Sequence, residues 1–257
     1  MDHARPQPRR SGLNASPSDQ QRLLDLQALD TRIDQIAHRR STLPQHARVA
    51  QLEERLTELR DEVVVAETEQ TDIGRELVKA EGDVELVRQR SARDQGRLDS
   101  GQSSHKDLEH LQHEMTTLAK RQSDLEDVEL EVMERLETAT ARAEELRAER
   151  DQFTTDLESA VADRDAALAV LDAELGETTQ GRDNLAAGLP ADLVTLYEKI
   201  RVSSGTGAAP LHQGRCEGCR IELTPTDLQR IRSAAPDEVL RCEECRRILV
   251  RVPESGL

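Results

Sequence analysis

Aromatic side chains are almost absent from this 257-residue chain, which has one Phe, one Tyr and no Trp. Aromatic residues dominate the cores of ordinary globular domains. A chain of this length holding only Phe153 and Tyr197 is not built around one large core. Cysteine is nearly as scarce. Four are present, all after residue 215, so a cysteine-dense secreted scaffold is excluded. No run approaches the roughly 18 apolar residues of a membrane-spanning helix, so no membrane association is expected. Met1-Asp2-His3-Ala4-Arg5 leads into no apolar segment of the signal-peptide kind, and the cytoplasm is the expected compartment. No Gly-rich phosphate loop, nucleophile elbow or catalytic triad signature occurs. Neither enzyme activity nor a small-molecule substrate is therefore expected. His105, His110 and His113 lie close to Glu109 and Glu114, but the order His113-Glu114 reverses that of an inverted zinc-protease motif. They are read as solvated polar residues.

What the chain does have is charge and helix-forming residues. Asp, Glu, Lys and Arg make up 33% of it, and the net charge is −16. From Ala191 onward there are 10 Lys+Arg and 10 Asp+Glu, so the first 190 residues carry the whole excess. A long acidic segment repels nucleic-acid phosphates. Richness in Glu, Leu, Ala, Arg and Gln is the composition of long helices and coiled coils.

The apolar spacing agrees. Residues 1–18 contain Pro, Arg and Ser without any apolar period and read as a disordered tail. Helical periodicity begins at Ser18-Asp19, and Pro44 interrupts it. From Leu52 to Val87 apolar and small residues alternate at spacings of 4 and 3, a heptad seam with one polar slot at Gln70. The stretch from Arg93 to Lys106, with Gly96 and Gly101, breaks the pattern. A second seam runs from Leu108 to Leu171. Folding back at the break brings together residues whose numbers sum to about 199, so that Val63 meets Leu136 and Gln70 meets Glu129. Short links join antiparallel neighbours, which favours an intramolecular hairpin over a parallel dimer.

The fold class expected is mainly α: a long antiparallel coiled-coil hairpin with a small C-terminal β zinc ribbon. The hairpin is assigned to residues 19–188, with its turn near 93–106. A short connecting helix, 189–202, carries Leu193, Tyr197 and Ile200. The ribbon spans 208–253. Within it, Thr224 caps a short helix, and Val239-Leu240 and Ile248-Leu249-Val250 read as strands.

Cys216 and Cys219 form one Cys-x-x-Cys pair, Cys242 and Cys245 another, with 22 residues between the pairs. Two tight turns, each offering two sulfurs, give the ligand set of one structural Zn²⁺. Disulfides lack the secretory context, and a thioredoxin-type redox pair lacks its βαβ setting. Iron in a four-thiolate site shares the same geometry. A closed four-thiolate site stabilises a small fold and leaves no open coordination position.

These residues resemble a bacterial family that joins a coiled-coil hairpin to a C-terminal C4-type zinc ribbon. Three stretches carry the resemblance. They are Gly101 to Leu108 running on to Asp127, Leu189-Pro190-Ala191-Asp192-Leu193 with Tyr197 to Arg201, and Cys216-Glu217-Gly218-Cys219-Arg220 through Arg241-Cys242-Glu243-Glu244-Cys245 to Leu249. The resemblance implies a non-enzymatic role. Some relatives look like adaptors or regulators that bind an alternative sigma factor, secretion or motility components, or RNA. This chain departs from the family in having Arg246, not glycine, after the fourth cysteine. Glycine would relieve the positive φ that such a turn often needs.

Two functions follow as expectations. The first is an adaptor or regulatory protein that binds a protein partner. The alternative is RNA or DNA binding through Arg215, Arg220, Arg230, Arg232, Arg241, Arg246, Arg247 and Arg251, which cluster around the cysteines in sequence. Against the alternative, the ribbon has no aromatic side chain on which a base could stack.

Overall fold

The structure is a computed structural model that describes residues 12–100 and 105–257. In chain order it contains α1 (Pro17–Ser41), α2 (Pro44–Asp99), α3 (His105–Ala187), α4 (Ala191–Ser204), β1 (Ala208–His212), β2 (Arg215–Cys216), β3 (Ile221–Glu222), α5 (Pro225–Ser233), β4 (Leu240–Arg241) and β5 (Ile248–Arg251). A 3₁₀ turn, Pro253–Ser255, follows. No helix among the described residues is long and apolar enough to cross a membrane. The chain divides into two compact units. One is Pro44–Asp163; the other joins Met1–Leu43 to Arg164–Leu257.

The first unit is an antiparallel coiled-coil hairpin of α2 against the N-terminal part of α3. The heptad seam is its core: Leu52, Leu56, Leu59, Val63, Ile73, Ala80 and Val84 are buried, as are Leu111, Leu118, Val132, Ala139, Ala143 and Leu146. Salt bridges cross between the arms, among them Arg55–Glu149 at 3.0 Å, Arg147–Glu67 at 2.7 Å and Arg135–Glu76 at 2.9 Å. All are at least partly open to solvent, and such pairs each contribute little.

The register differs from the expected one. Leu59 and Val63 cluster with Ala143 and Leu146, and Ser91 Oγ lies 3.8 Å from Met115 Sδ, so facing residues sum to about 206, one heptad from the expected 199. Gln70 does not face Glu129; its Nε2 donates to Thr140 Oγ1 at 3.0 Å. A seam repeating every seven residues superimposes on itself after a seven-residue slip, so the seam cannot choose the register. The place where the helices end chooses it. Gly96 did not end α2, which continues to Asp99, and α3 is already helical at His105. One helical glycine costs only about 1 kcal/mol, too little to stop a long packed helix. The expected turn over 93–106 is thereby narrowed; residues 101–104 lie outside the described residues.

The second unit contains α1, the C-terminal part of α3, α4 and the five-stranded sheet. The sheet order is β3-β2-β1-β5-β4, with β1 and β5 parallel and the other pairs antiparallel. Alternation along the two central strands divides their side chains between two cores. Ala208, Ile248 and Val250 face one core with Leu23 and Leu26 of α1 and Leu193, Tyr197 and Ile200 of α4. Ala209, Leu211 and Leu249 face the other, with Cys216, Leu223, Ile231, Leu240 and Cys242.

Several expected boundaries move. The assigned tail 1–18 is ordered where it is described: the Ala15 N–H donates to Asp237 O at 2.8 Å, and the Val239 N–H donates to Leu13 O at 3.0 Å. Backbone pairing with a segment more than 200 residues away supplies the order that local sequence does not (residues 1–11 lie outside the described residues). The cap of α1 is Ser16, not Ser18, with Ser16 Oγ accepting from the Asp19 N–H. The stretch 19–43, assigned to the hairpin, belongs to the unit that holds the ribbon. The second arm stays helical to Ala187, one residue short of the assigned 188. α4 runs two residues past the expected 202 to a left-handed Gly205. Strand β1, which opens the ribbon, was not anticipated.

Candidate metal centre

Each cysteine pair sits on a tight turn at the end of a short strand. Cys216 ends β2, and the Arg220 N–H returns to Cys216 O at 2.7 Å. Cys242 follows β4, and the Arg246 N–H returns to Cys242 O at 2.9 Å. The two turns match in detail. N–H groups of Gly218 and Cys219 point to the Cys216 sulfur, and those of Glu244 and Cys245 point to the Cys242 sulfur. The residue after each pair has positive φ, 61° at Arg220 and 62° at Arg246. The glycine missing after the fourth cysteine therefore has a physical consequence: arginine occupies a left-handed position, which costs a side-chain-bearing residue about 1–2 kcal/mol.

All four Sγ atoms lie within 4.8 Å of one another, with Cys216–Cys245 at 3.8 Å and Cys219–Cys242 at 3.9 Å. A tetrahedron of thiolates with Zn–S bonds of about 2.3 Å has edges of about 3.8 Å. The donor set thus fits a tetrahedral, thiophilic ion of that size. Among the described residues it is the one such cluster of ligand side chains. His110 and His113 are exposed and join no comparable group, and Glu114 instead pairs with Arg90.

The thiols are unevenly poised. Burial pushes those of Cys216 and Cys242 up. Burial also raises Cys245, but hydrogen bonds from Arg247 and the neighbouring cysteines outweigh it and bring Cys245 down to about 7. Four sulfurs this close, those of Cys216 and Cys242 buried and those of Cys219 and Cys245 partly so, repel one another as thiolates unless a cation sits among them.

Gly218 is required by close approach. A Cβ there would lie 2.8 Å from Arg247 Cδ and 2.9 Å from Ala209 Cβ. The Arg247 side chain lies over this turn and bonds to Thr206 Oγ1, Gly218 O and Ser204 O, tying the first knuckle to the end of α4. Arg251 donates to the carbonyls of Ala234, Ala235, Pro236 and Glu238. Arg241 donates to Arg246 O at 2.8 Å, and Arg232 to Gly256 O at 3.2 Å. Arg215 pairs with Glu217, while Arg230 and Arg246 both pair with Glu243. Of the eight arginines singled out from sequence, Arg220 alone has no partner among the described residues. Of the ribbon's apolar residues, Leu223 is buried, Leu228 packs against the ribbon core, and Ile221 is 46% exposed on β3 at the edge of the sheet.

Sequence reasoning missed a buried polar cluster in the same unit. Tyr197 is fully buried, and its hydroxyl donates to Asp30 Oδ2 at 2.6 Å. Arg182 Nε donates to Asp30 Oδ1 at 3.1 Å, and Arg201 lies 3.4 Å from Asp30 Oδ2. Gln27 Oε1 accepts from the Gly207 N–H at the start of the ribbon. Burial, then the adjacent Asp30 carboxylate, pushes the tyrosine hydroxyl well above its ordinary range. The lone Tyr and the charges around it were visible in sequence, but nothing local linked them to Asp30.

Comparison with known proteins decides the family. Residues 26–205 match the CT398-like coiled coil hairpin domain, and residues 215–249 match the C4-type zinc ribbon domain. The chain belongs to this hairpin-plus-ribbon family. A relative, uncharacterized protein Rv2229c of Mycobacterium tuberculosis, is 37% identical over 240 residues, covering 93% of this chain and 98% of the relative. An uncharacterized protein of Mycobacterium leprae is 33% identical, covering 89% of this chain and 94% of its own length. A solved structure from Mycobacterium smegmatis is similar at TM-score 0.82 and 38% identity, covering 93% of this chain and 100% of that one. CT398 from Chlamydia trachomatis has TM-score 0.65 at 18% identity over 91% of this chain and 98% of its own, which establishes a shared fold. The match over the ribbon includes all four cysteines.

Proposed function

We propose that this chain is a non-catalytic, cytoplasmic adaptor whose ribbon holds one structural Zn²⁺ at Cys216, Cys219, Cys242 and Cys245, and which acts by binding a partner protein. The observation that carries the reading is the closure of the site. Four cysteine sulfurs fill a tetrahedron, and catalytic zinc sites instead keep one position open for water or substrate. The ion's role is to cross-link the two knuckles of a sheet whose own core is too small to be stable alone.

Protein is favoured over nucleic acid as the partner. Arg241, Arg247 and Arg251 direct their donors at backbone carbonyls, and Arg215, Arg230 and Arg246 at carboxylates. Phosphate binding would have to break those bonds. The segment 44–163 holds 31 Asp+Glu against 16 Lys+Arg, which repels a polyanion.

Metal analysis of the purified full chain should find about one zinc per chain. Cys219→Ser should lose the metal and the ribbon's order while the hairpin keeps its helical signal. Because the ion displaces thiol protons, zinc retention should fall as pH falls. Metal-free protein with an ordered ribbon would refute the zinc assignment. For the partner, capture should survive nuclease treatment, and mixed RNA and duplex DNA should not bind at physiological salt. Tight nucleic-acid binding that is lost on replacing Arg220 and Arg246 with Glu would overturn the protein-adaptor reading.

A further inference from the structure

The seam does not take up all the apolar surface of the hairpin. Beside it on α3, Leu130 and Met133 are 57% and 47% exposed. With the half-buried Leu77 and Leu136 and the exposed Ala141 they line an open groove of about 610 Å³. The α3 positions 130, 133, 137, 141 and 144 repeat at spacings of 3 and 4, so they form a second stripe next to the seam. From Leu130 to Glu144 this stripe runs for about 21 Å, roughly four helical turns.

Its rim is acidic and exposed. The carboxylates of Glu134, Glu137 and Glu144 line the groove, and none has an ion pair among the described residues. The two arginines nearby are engaged, Arg135 with Glu76 and Arg142 with Glu145. Between Asp124 and Glu145 there are nine Asp+Glu and those two arginines. Unpaired carboxylates beside exposed Leu and Met gain nothing for the isolated hairpin. They are the complement of a helix with an apolar face and cationic flanks, and Met is a side chain that adapts to such a face.

We propose that this groove docks an amphipathic, Lys/Arg-rich helix of a partner protein. The inference rests on the protein-adaptor reading and specifies the partner's chemistry. A second copy of this chain is disfavoured, because it would bring an equally acidic hairpin against the same rim, and like charges across an interface cost several kcal/mol. Nucleic acid is disfavoured by the same carboxylates.

The test uses the full chain and a synthetic helical peptide of about 18 residues, enough to span the groove. The peptide carries Leu at 3-4 spacing and Lys on both flanks; a control peptide has Glu in place of each Lys. Fluorescence anisotropy should show saturable binding of the Lys peptide and none of the Glu peptide. Leu130→Ser with Met133→Ser should weaken binding at least about tenfold, the loss typical of removing a central anchor. Both sites are exposed, so the fold should be intact by circular dichroism. Glu134→Gln, Glu137→Gln and Glu144→Gln together should weaken binding and flatten its salt dependence. No saturable binding, or binding that ignores both sets of substitutions, would overturn the groove. A dimer in sedimentation that the Leu130 and Met133 changes dissolve would overturn it in favour of a second copy. Either failure is separable from that of the adaptor reading. If the nuclease-resistant partner is still captured by the Leu130/Met133 variant, the adaptor stands and the groove falls; if no protein is captured by the unaltered chain, the adaptor reading itself fails.

Discussion

Gly207→Ala and Gly205→Ala test the junction between α4 and the ribbon, because two glycines a residue apart are required for different reasons. Gly205 closes α4 with φ +75° and has open space around it. Alanine there meets only the left-handed penalty, about 1 kcal/mol. Gly207 has no positive φ. A Cβ on it would lie 2.5 and 2.6 Å from Tyr197 ring carbons and 2.7 Å from the Tyr197 carbonyl oxygen. The ring cannot move aside, since it is fully buried and its hydroxyl is held by Asp30. Nor can the backbone shift freely, because the Gly207 N–H donates to Gln27 and its carbonyl accepts from Ile248. Overpacking typically costs 1–3 kcal/mol, and this case belongs at about 3. At roughly 2–4 °C per kcal/mol for a domain of this size, Gly207→Ala should lower the Tm by about 6–12 °C and Gly205→Ala by about 2–4 °C. Tyrosine provides the assay. Tyr197 is the sole Tyr and there is no Trp, so near-UV circular dichroism in the tyrosine band reports this unit and not the hairpin. If Gly207→Ala melts with the unaltered protein, or Gly205→Ala loses more than Gly207→Ala, the packing argument is wrong.

Three further outcomes are expected. Arg246→Gly should stabilise the ribbon by about 1 kcal/mol by relieving a left-handed arginine, read as slower zinc loss to a chelator; faster loss would contradict it. Cysteines at Val63 and Ala143 should cross-link within one chain, whereas Val63 with Leu136 should not, because a seven-residue offset separates them by about 10 Å along the helix, beyond disulfide reach. Tyr197→Phe should cost about 1.5–3 kcal/mol, the usual size of a buried hydrogen bond to a charged group. It should cost less once Asp30 is Ala, which leaves only Gln27 Oε1 at 3.1 Å to accept, and a double-mutant cycle with no coupling would show that the 2.6 Å bond is unimportant.

The parts of this molecule that read well from sequence are those whose signal is local or periodic. The heptad seam requires only spacing, and the buried faces of α2 and α3 follow it. Thr224 announced α5 because a cap and its Asp227 N–H donor are three residues apart. The Cys-x-x-Cys pairs carry their chemistry within four residues each. Helix ends were less legible, since packing held Gly96 in α2 where its propensity argued for a break. β1 was missed because Ala208-Ala209-Pro210-Leu211-His212 has no alternation of its own; it is a strand because it lies between β2 and β5.

By itself, then, the amino-acid order determined a helical hairpin and a four-cysteine ribbon, each a matter of composition or short-range spacing. Only the tertiary structure decided the register of the hairpin, because a seam with a seven-residue repeat is equally satisfied by slips of seven. It also decided that α1 joins the ribbon's unit and that β1 and β5 serve two cores. It placed Asp30 against Tyr197, and it turned most of the ribbon's arginines toward its own carbonyls and carboxylates. Each of these joins residues far apart in the chain, where the partner of a charge or a donor is set by which surfaces pack together and not by its sequence neighbours.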